Sequence, residues 1–252
     1  MTDGIERRED AGIIEIRLDR AEKKNALTGA MYGEMTAALR DASSRADIGC
    51  VLFTAHGDAF CAGNDIKDFL SGGSAPAMEF IHAIAAFDKP IVAAVNGLAV
   101  GIGTTMLLHC DLVYASPAAR FTVPFVSIGL VPEAASSLLL PARIGWAKAA
   151  EMFLLGQPMD AEAADRAGLI TAIVPADALD THARAKAQAL VAMPPEALAA
   201  TRRLVKGDPA TIEAAMAAEE EVFAKVLVGP EAREAFTAFV EKRTPDFKRH
   251  VT

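Results

Sequence analysis

Aromatic residues are scarce in this chain: one Trp, two Tyr and 12 Phe, 6% of 252 residues. A core of this size must therefore be packed from Ala, Leu, Ile and Val. Cysteine is scarcer still. Cys50, Cys61 and Cys110 lie far apart, are odd in number and form no C-x-x-C. That spacing speaks against a disulfide framework or a zinc site and fits a reducing compartment. The five histidines, His56, His82, His109, His182 and His250, show no ligand spacing either. Positive charge is in deficit, with 25 Lys and Arg against 33 Asp and Glu and a formal net charge of -8. A chain so charged repels a polyanion, and no basic stripe appears, so no nucleic-acid partner is expected. No apolar run reaches the roughly 18 residues of a membrane span, so no membrane partner is expected. Met1 to Asp10 carries four acids and reads as neither a secretory signal nor an Arg-rich transit peptide. The expected location is the cytoplasm.

What is present is an ordinary globular composition, 52% hydrophobic and 23% charged, long enough for one large domain. Ile13 to Leu18 alternates and predicts a strand with one wet face. Cys50 to Ala55, Ile91 to Val95, Leu112 to Ala115 and Arg120 to Val123 are short β-rich runs. Helical patterns fall at Thr28 to Ser43, Pro76 to Phe87, Thr104 to His109, Ala134 to Leu140, Trp146 to Leu155 and Ala161 to Ala167. Strands come in pairs before each helix, unlike the strict alternation of a doubly wound sheet. The expected fold is α/β, built of stacked ββα units. Beyond Met193-Pro194-Pro195 everything reads as helix, broken at Gly207-Asp208-Pro209 and Gly229-Pro230. This divides the chain into a core, 1–193, and a helical C-terminal region, 194–252. Within the latter, Ile212, Ala215, Met216, Val222, Phe223 and Val226 make an apolar packing stripe, and the region is expected to form an oligomer interface.

Three segments could carry chemistry. Ala59-Phe60-Cys61-Ala62-Gly63-Asn64-Asp65-Ile66-Lys67 follows a buried strand. Its small residues let a ligand approach the backbone, and free N–H groups there could donate to an oxygen gaining charge. Alternatively it is a strand-to-helix turn with Asp65 at the helix start. Ala94 to Thr105 runs from a buried strand through a Gly-punctuated turn into a helix N-terminus, where N–H groups point outward. Gly101 and Gly103 suggest a dinucleotide loop, but Met106 stands at the third glycine position. Gly129-Leu130-Val131-Pro132-Glu133-Ala134-Ala135-Ser136-Ser137 places one acid in apolar company before a helix. Glu133 there either complements the helix dipole or, in a dry cleft, becomes a general base with a raised pKa.

In this order and spacing the three segments resemble the enoyl-CoA hydratase/isomerase (crotonase) superfamily. Leu18-Asp19-Arg20-Ala21-Glu22-Lys23-Lys24-Asn25-Ala26-Leu27 is similar to the family's coenzyme A segment. Asp88 to Gly97 is similar to the approach to its second oxyanion loop, and Phe239-Val240-Glu241-Lys242-Arg243 to its C-terminal signature. The resemblance implies a crotonase-like spiral of ββα units with a helical oligomerisation region, assembled as a homotrimer or a hexamer of two trimers. It implies an acyl-CoA thioester as substrate, with coenzyme A part of the substrate and neither metal nor other cofactor. It implies that the backbone N–H groups of Asn64 and Ile102, beside Gly101, hold the thioester oxygen. Lys24, Ala26, Ala62, Asp65 and Ile66 would flank the adenine and ribose, and Lys242 or Arg243 would reach the phosphates.

The departures are informative. Where the family's hydratases carry two glutamates, this chain has Thr105 and Phe125. Neither side chain can deprotonate water or protonate an α-carbon. Pro124 to Ser137 instead resembles the peroxisomal-type Δ3,Δ2-enoyl-CoA isomerase branch, which implies Glu133 as a single catalytic acid. The expectation is a 3-enoyl-CoA to 2-enoyl-CoA isomerase. The alternatives are hydration by another base, thioester hydrolysis, or a silent acyl-CoA-binding protein. The loop Ser71-Gly72-Gly73-Ser74-Ala75-Pro76 is expected to wall the acyl pocket.

Overall fold

The computed structural model describes residues 4–69 and 74–247. Its strands, in chain order, are β1 (Ile5–Asp10), β2 (Ile13–Leu18), β3 (Cys50–Ala55), β4 (Ala59–Cys61), β5 (Ile91–Val95), β6 (Leu98–Val100), β7 (Leu112–Ala115), β8 (Arg120–Thr122), β9 (Met159–Asp160) and β10 (Ala172–Ile173). Its helices are α1 (Gly29–Ser44), α2 (Ile66–Asp68), α3 (Ser74–Ala86), α4 (Ile102–Thr105), α5 (Ser136–Ile144), α6 (Trp146–Leu155), α7 (Ala161–Ala167), α8 (Leu179–Val191), α9 (Pro195–Lys206), α10 (Pro209–Leu227) and α11 (Pro230–Glu241).

Paired strands split between two sheets. β3, β5 and β7 join a six-stranded sheet of order β1-β2-β3-β5-β7-β10, while β4, β6 and β8 join a four-stranded sheet ending in β9. After the β1-β2 hairpin, which stays within the large sheet, the steps β3-β4, β5-β6 and β7-β8 each cross from one sheet to the other before a helical turn follows, which is the expected ββα spiral. From β2 to β10 the large sheet is parallel. Such strands are normally covered on both faces, which is why they read as unbroken apolar runs. Here Ile13, Cys50, Leu52, Val92 and Ala94 face Leu179, Ala183 and Ala187 of α8. Ile14, Ile16, Val51, Phe53 and Ala93 face the main core with α1 and α3.

Covering by α8 corrects the expectation of a wet face on β2. Glu15 is 1% exposed. It accepts from Thr54 Oγ1 at 2.8 Å and is ion-paired with Arg17 and with Arg184 of α8. A buried charge persists only when paired and hydrogen-bonded in this way. β1 was not legible as a strand because only Ile5 is buried in it. Its charged residues suit an exposed edge, and the Ala11-Gly12 turn (φ 48° and 77°) that pairs it with β2 has the positive φ values of a tight hairpin.

The C-terminal helices pack on the chain's own core. The α10 stripe buries Met216 and Phe223, with Ile212, Ala215 and Val226 packed against the same core. Arg202 of α9 donates Nε to Asp111 at 2.8 Å and Nη1 to Phe87 O at 2.9 Å. Among the described residues no helix is long and apolar enough to cross a membrane.

Candidate active site

β4 pairs in parallel with β6, Cys61 opposite Ala99. The segments leaving these strands, Ala62–Asn64 and Gly101–Ile102, therefore emerge side by side. Both three-residue strands were hidden inside what read as loops. Glycine permits the closeness: a Cβ on Gly97 would lie 2.0 Å from Asp58 O, and one on Gly103 2.6 Å from Cys61 O. Neighbouring segments hold the first loop. Ala62 N donates to Lys24 O at 3.0 Å, Leu27 N to Gly63 O at 2.8 Å and Asp65 N to Leu27 O at 2.8 Å. Buried Asn25 reaches across to Ala59 O at 2.8 Å and His56 O at 2.9 Å.

These bonds use the amides on either side of Asn64 but not its own. Asn64 N–H makes no hydrogen bond among the described residues, and neither does Ile102 N–H, the first of α4. An N–H at a helix start has no partner within the helix. Both loops line one cleft of about 80 Å³, with Gly63, Asn64, Gly101, Ile102, Phe125 and Glu133 on its walls. Two unused donors on the wall of one small cleft can stabilise an oxygen that gains negative charge.

Glu133 is the one carboxylate on that cleft among the described residues. It is 5% exposed, and its Oε1 is sealed without a hydrogen-bond partner among the described residues. Burial pushes its carboxyl up to about 8, and Glu219 nearby adds to the rise. The helix-dipole reading of Glu133 is not what the structure holds. α5 begins only at Ser136, and its N-terminal amides are taken by another acid: Glu219 of α10 accepts from Ala135 N at 2.7 Å and Ser137 N at 2.8 Å. Between Glu133 and α5, Ala134 and Ala135 both adopt left-handed conformations (φ 61° and 54°), which cost a non-glycine residue roughly 1 kcal/mol or more each. His109 Nε2 lies 2.9 Å from Ala134 O. Burial lowers the His109 imidazole to about 4, so it is neutral at pH 7.

Two further groups lie near enough to Glu133 to feel its charge. Tyr32 of α1 donates to Asn64 Oδ1, and burial holds its phenol well above the usual value, with Glu133 adding to the shift. Cys61 is pushed up to about 12, chiefly by burial, which makes it an inert thiol. A larger cavity of about 540 Å³ shares Glu133 and Phe223 with the cleft and runs between α3 and α10, past Met78 and Leu227. Ser74 and Ala75 line it, while Ser71–Gly73, expected in the same wall, lie outside the described residues.

Asp65 caps α2, accepting from Lys67 N and Asp68 N, and pairs with Arg20 at 2.9 Å, so its carboxylate is already engaged. Lys24 is exposed and pairs with Asp58. Ala26, Ala62 and Ile66 are partly exposed on the same bonded segments. Lys242 ends α11 in a left-handed cap and lines neither cavity; Arg243 is held by Glu234 and Glu241. Thr105 is buried, its Oγ1 without a partner among the described residues, and Phe125 is a cleft wall. Among the described residues no cluster of three or more His, Cys, Asp or Glu could hold a metal. Glu219 and Tyr32 were not found in the sequence. Each sits in an ordinary helical pattern and gains its meaning only from a distant partner.

Residues 8–250 match the family described as enoyl-CoA hydratase/isomerase. Enoyl-CoA delta isomerase 2 of Rattus norvegicus is 37% identical over 207 residues, covering 78% of this chain and 53% of that protein; the chain spans about half of that relative's length. A probable enoyl-CoA hydratase of Mycobacterium bovis is 34% identical over 249 residues, 96% of each chain. The crystal structure of an enoyl-CoA hydratase/isomerase from Pseudoalteromonas atlantica T6c superposes with a TM-score of 0.93 at 40% identity, covering 97% of this chain and 100% of that one.

Proposed function

The chain belongs to the enoyl-CoA hydratase/isomerase family and is an acyl-CoA enzyme of it, and from this premise we propose that it moves the double bond of a 3-enoyl-CoA into conjugation. The observation that carries the reading is a single buried carboxylate, Glu133, on a cleft with two unused backbone donors. The thioester carbonyl acidifies the C2 proton. Glu133, ionised, removes it, and the electron pair passes to the thioester oxygen as a dienolate. Asn64 N–H and Ile102 N–H bind that oxygen, and such donors act most strongly where water is excluded. Protonated Glu133 then returns the proton at C4, leaving the 2-enoyl thioester. One carboxylate suffices for both transfers, and no metal or redox cofactor is needed.

Lys24, Ala26, Ala62, Asp65 and Ile66 take the role of coenzyme A contacts, with Gly101 shaping the second loop and Lys242 reaching the phosphates. The larger cavity takes the acyl chain. Because relatives include proteins named as hydratases, the deciding test supplies 3-enoyl-CoA and 2-enoyl-CoA separately to the pure protein. Conversion of 3-enoyl-CoA is expected. Consumption of 2-enoyl-CoA alone would reject isomerisation in favour of hydration. The assembly is read as a homotrimer or a hexamer of two trimers. Exposed Leu204 and Val205 on α9, and exposed Phe239 and Val240 on α11, support that reading, since large apolar side chains exposed in neighbouring pairs suit contact sites.

A further inference from the structure

We propose that Glu219 is a positioning residue for Glu133, fixing from α10 the turn that carries the base into the cleft. The inference rests on the isomerase reading, in which Glu133 moves the proton. Its geometry is direct. The Glu219 carboxylate spans the start of α5, one oxygen on Ala135 N at 2.7 Å and the other on Ser137 N at 2.8 Å. Ala135 is the second of two left-handed alanines that follow Glu133. Alanine does not hold that conformation unaided, so something outside the turn must bind it there. Among the described residues, His109 Nε2 at Ala134 O and Glu219 at Ala135 N are the side-chain clamps on these two alanines. Glu219 lies 84 residues further along the chain and is itself 8% exposed. The C-terminal helical region thereby sets the aim of a base that belongs to the core.

The same contact acts through charge. A second carboxylate close by disfavours ionisation of the first. The other titratable groups around Glu133 do not relieve this. Tyr32 and Cys61 lie near it as neutral groups held uncharged by burial. Glu220 and Glu221 line the shared cavity from α10, and Glu220 is paired with His82 of α3. His109 approaches the Ala134 carbonyl as a neutral imidazole. Burial raises the Glu219 carboxyl while the amides of Ser137 and Ala135 pull it down.

E219Q removes the charge together with one of the two bonds, its amide NH2 left facing a backbone N–H, and E219A removes the charge together with both. Gln is close in shape and keeps one acceptor. The acid limb of kcat/KM for 3-enoyl-CoA is expected to fall by about half to one pH unit in E219Q, the direction set by losing a neighbouring negative charge. In E219A kcat should drop about tenfold or more with KM little changed, since a misdirected base costs rate rather than binding. Carbon-13 NMR of labelled glutamate carboxyls, with the Glu133 signal assigned by its loss in E133Q, follows the titration without turnover. A Glu133 midpoint that moves down in E219Q while the wild type fails to isomerise any enoyl-CoA would sink the isomerase reading and leave this coupling standing. An unmoved acid limb and an unmoved NMR midpoint in E219Q, with any loss in E219A tracking lost fold stability alone, would overturn the proposal.

Discussion

Replacing Glu133 by Gln should make the protein both inactive and more stable, and the gain in stability should grow with pH. The folded carboxyl sits at about 8 against an ordinary 4.5, a difference of 3.5 units. At about 1.4 kcal/mol per unit this amounts to roughly 5 kcal/mol in favour of the protonated form in the fold. The sign follows from proton counting. Below pH 4.5 the carboxyl is neutral in both states and wild type and E133Q should unfold alike. Between 4.5 and 8 the unfolded chain has released its proton while the fold retains it, so wild-type stability falls by about 1.4 kcal/mol per pH unit. Above 8 the fold ionises too, and the difference levels off. Glutamine is neutral throughout and escapes the loss. Urea unfolding of both proteins at pH 5, 6.5 and 8, at one protein concentration, measures the difference. Turnover supplies the second readout: kcat/KM of the wild type should climb as pH approaches 8, because in the proposed reaction only ionised Glu133 can accept the C2 proton, while E133Q should lose roughly a hundredfold or more. A stability difference that stays flat across this range would mean that Glu133 is solvated, and the argument for a tuned base would collapse.

Gly103→Ala should lower kcat about tenfold and destabilise by roughly 1–3 kcal/mol, because its Cβ would meet Cys61 O at 2.6 Å and push the two donor loops apart; kinetics and a thermal melt check both, and a neutral result would mean that the loops are not in register. Arg202→Ala should cost roughly 3 kcal/mol by stripping the partner from Asp111, yet leave kcat unchanged below the melting temperature, since Arg202 lines neither the cleft nor the larger cavity. Light scattering should give a mass of about 80 kDa or twice that, three or six chains of 26.5 kDa; a chain that stays at 26.5 kDa would dismiss the trimeric assembly.

Much of the architecture was legible because parallel strands covered on both faces leave a plain mark. Cys50–Ala55 and Ile91–Val95 are unbroken apolar runs, and both are fully buried. Gly207-Asp208-Pro209 and Gly229-Pro230 announced the ends of α9 and α10 because proline and glycine interrupt helices through backbone geometry alone. Strands without such a mark were missed. β1 carries charge along an exposed edge, and β4 and β6, three residues each, are too short to show any period. The wet face predicted for β2 failed because the period of a strand tells which residues share a face, not what covers that face. Here α8, contributed more than 160 residues later, seals it through the Arg184 pair with Glu15.

By itself the sequence determined the stacked ββα order, the helical C-terminal region, the two glycine-bearing loops and the lone acid at 133, since each depends on local conformational preference or on residues close along the chain. Only the tertiary structure decided that β4 and β6 lie in register, that the amides of Asn64 and Ile102 are left without partners among the described residues, and that Glu133 is dry beside Glu219. A hydrogen-bond vacancy, a desolvation penalty and a Coulomb interaction are sums over neighbours in space. Those neighbours, Leu27 for one loop, Thr122 for the other and Glu219 for Glu133, stand tens of residues away along the chain.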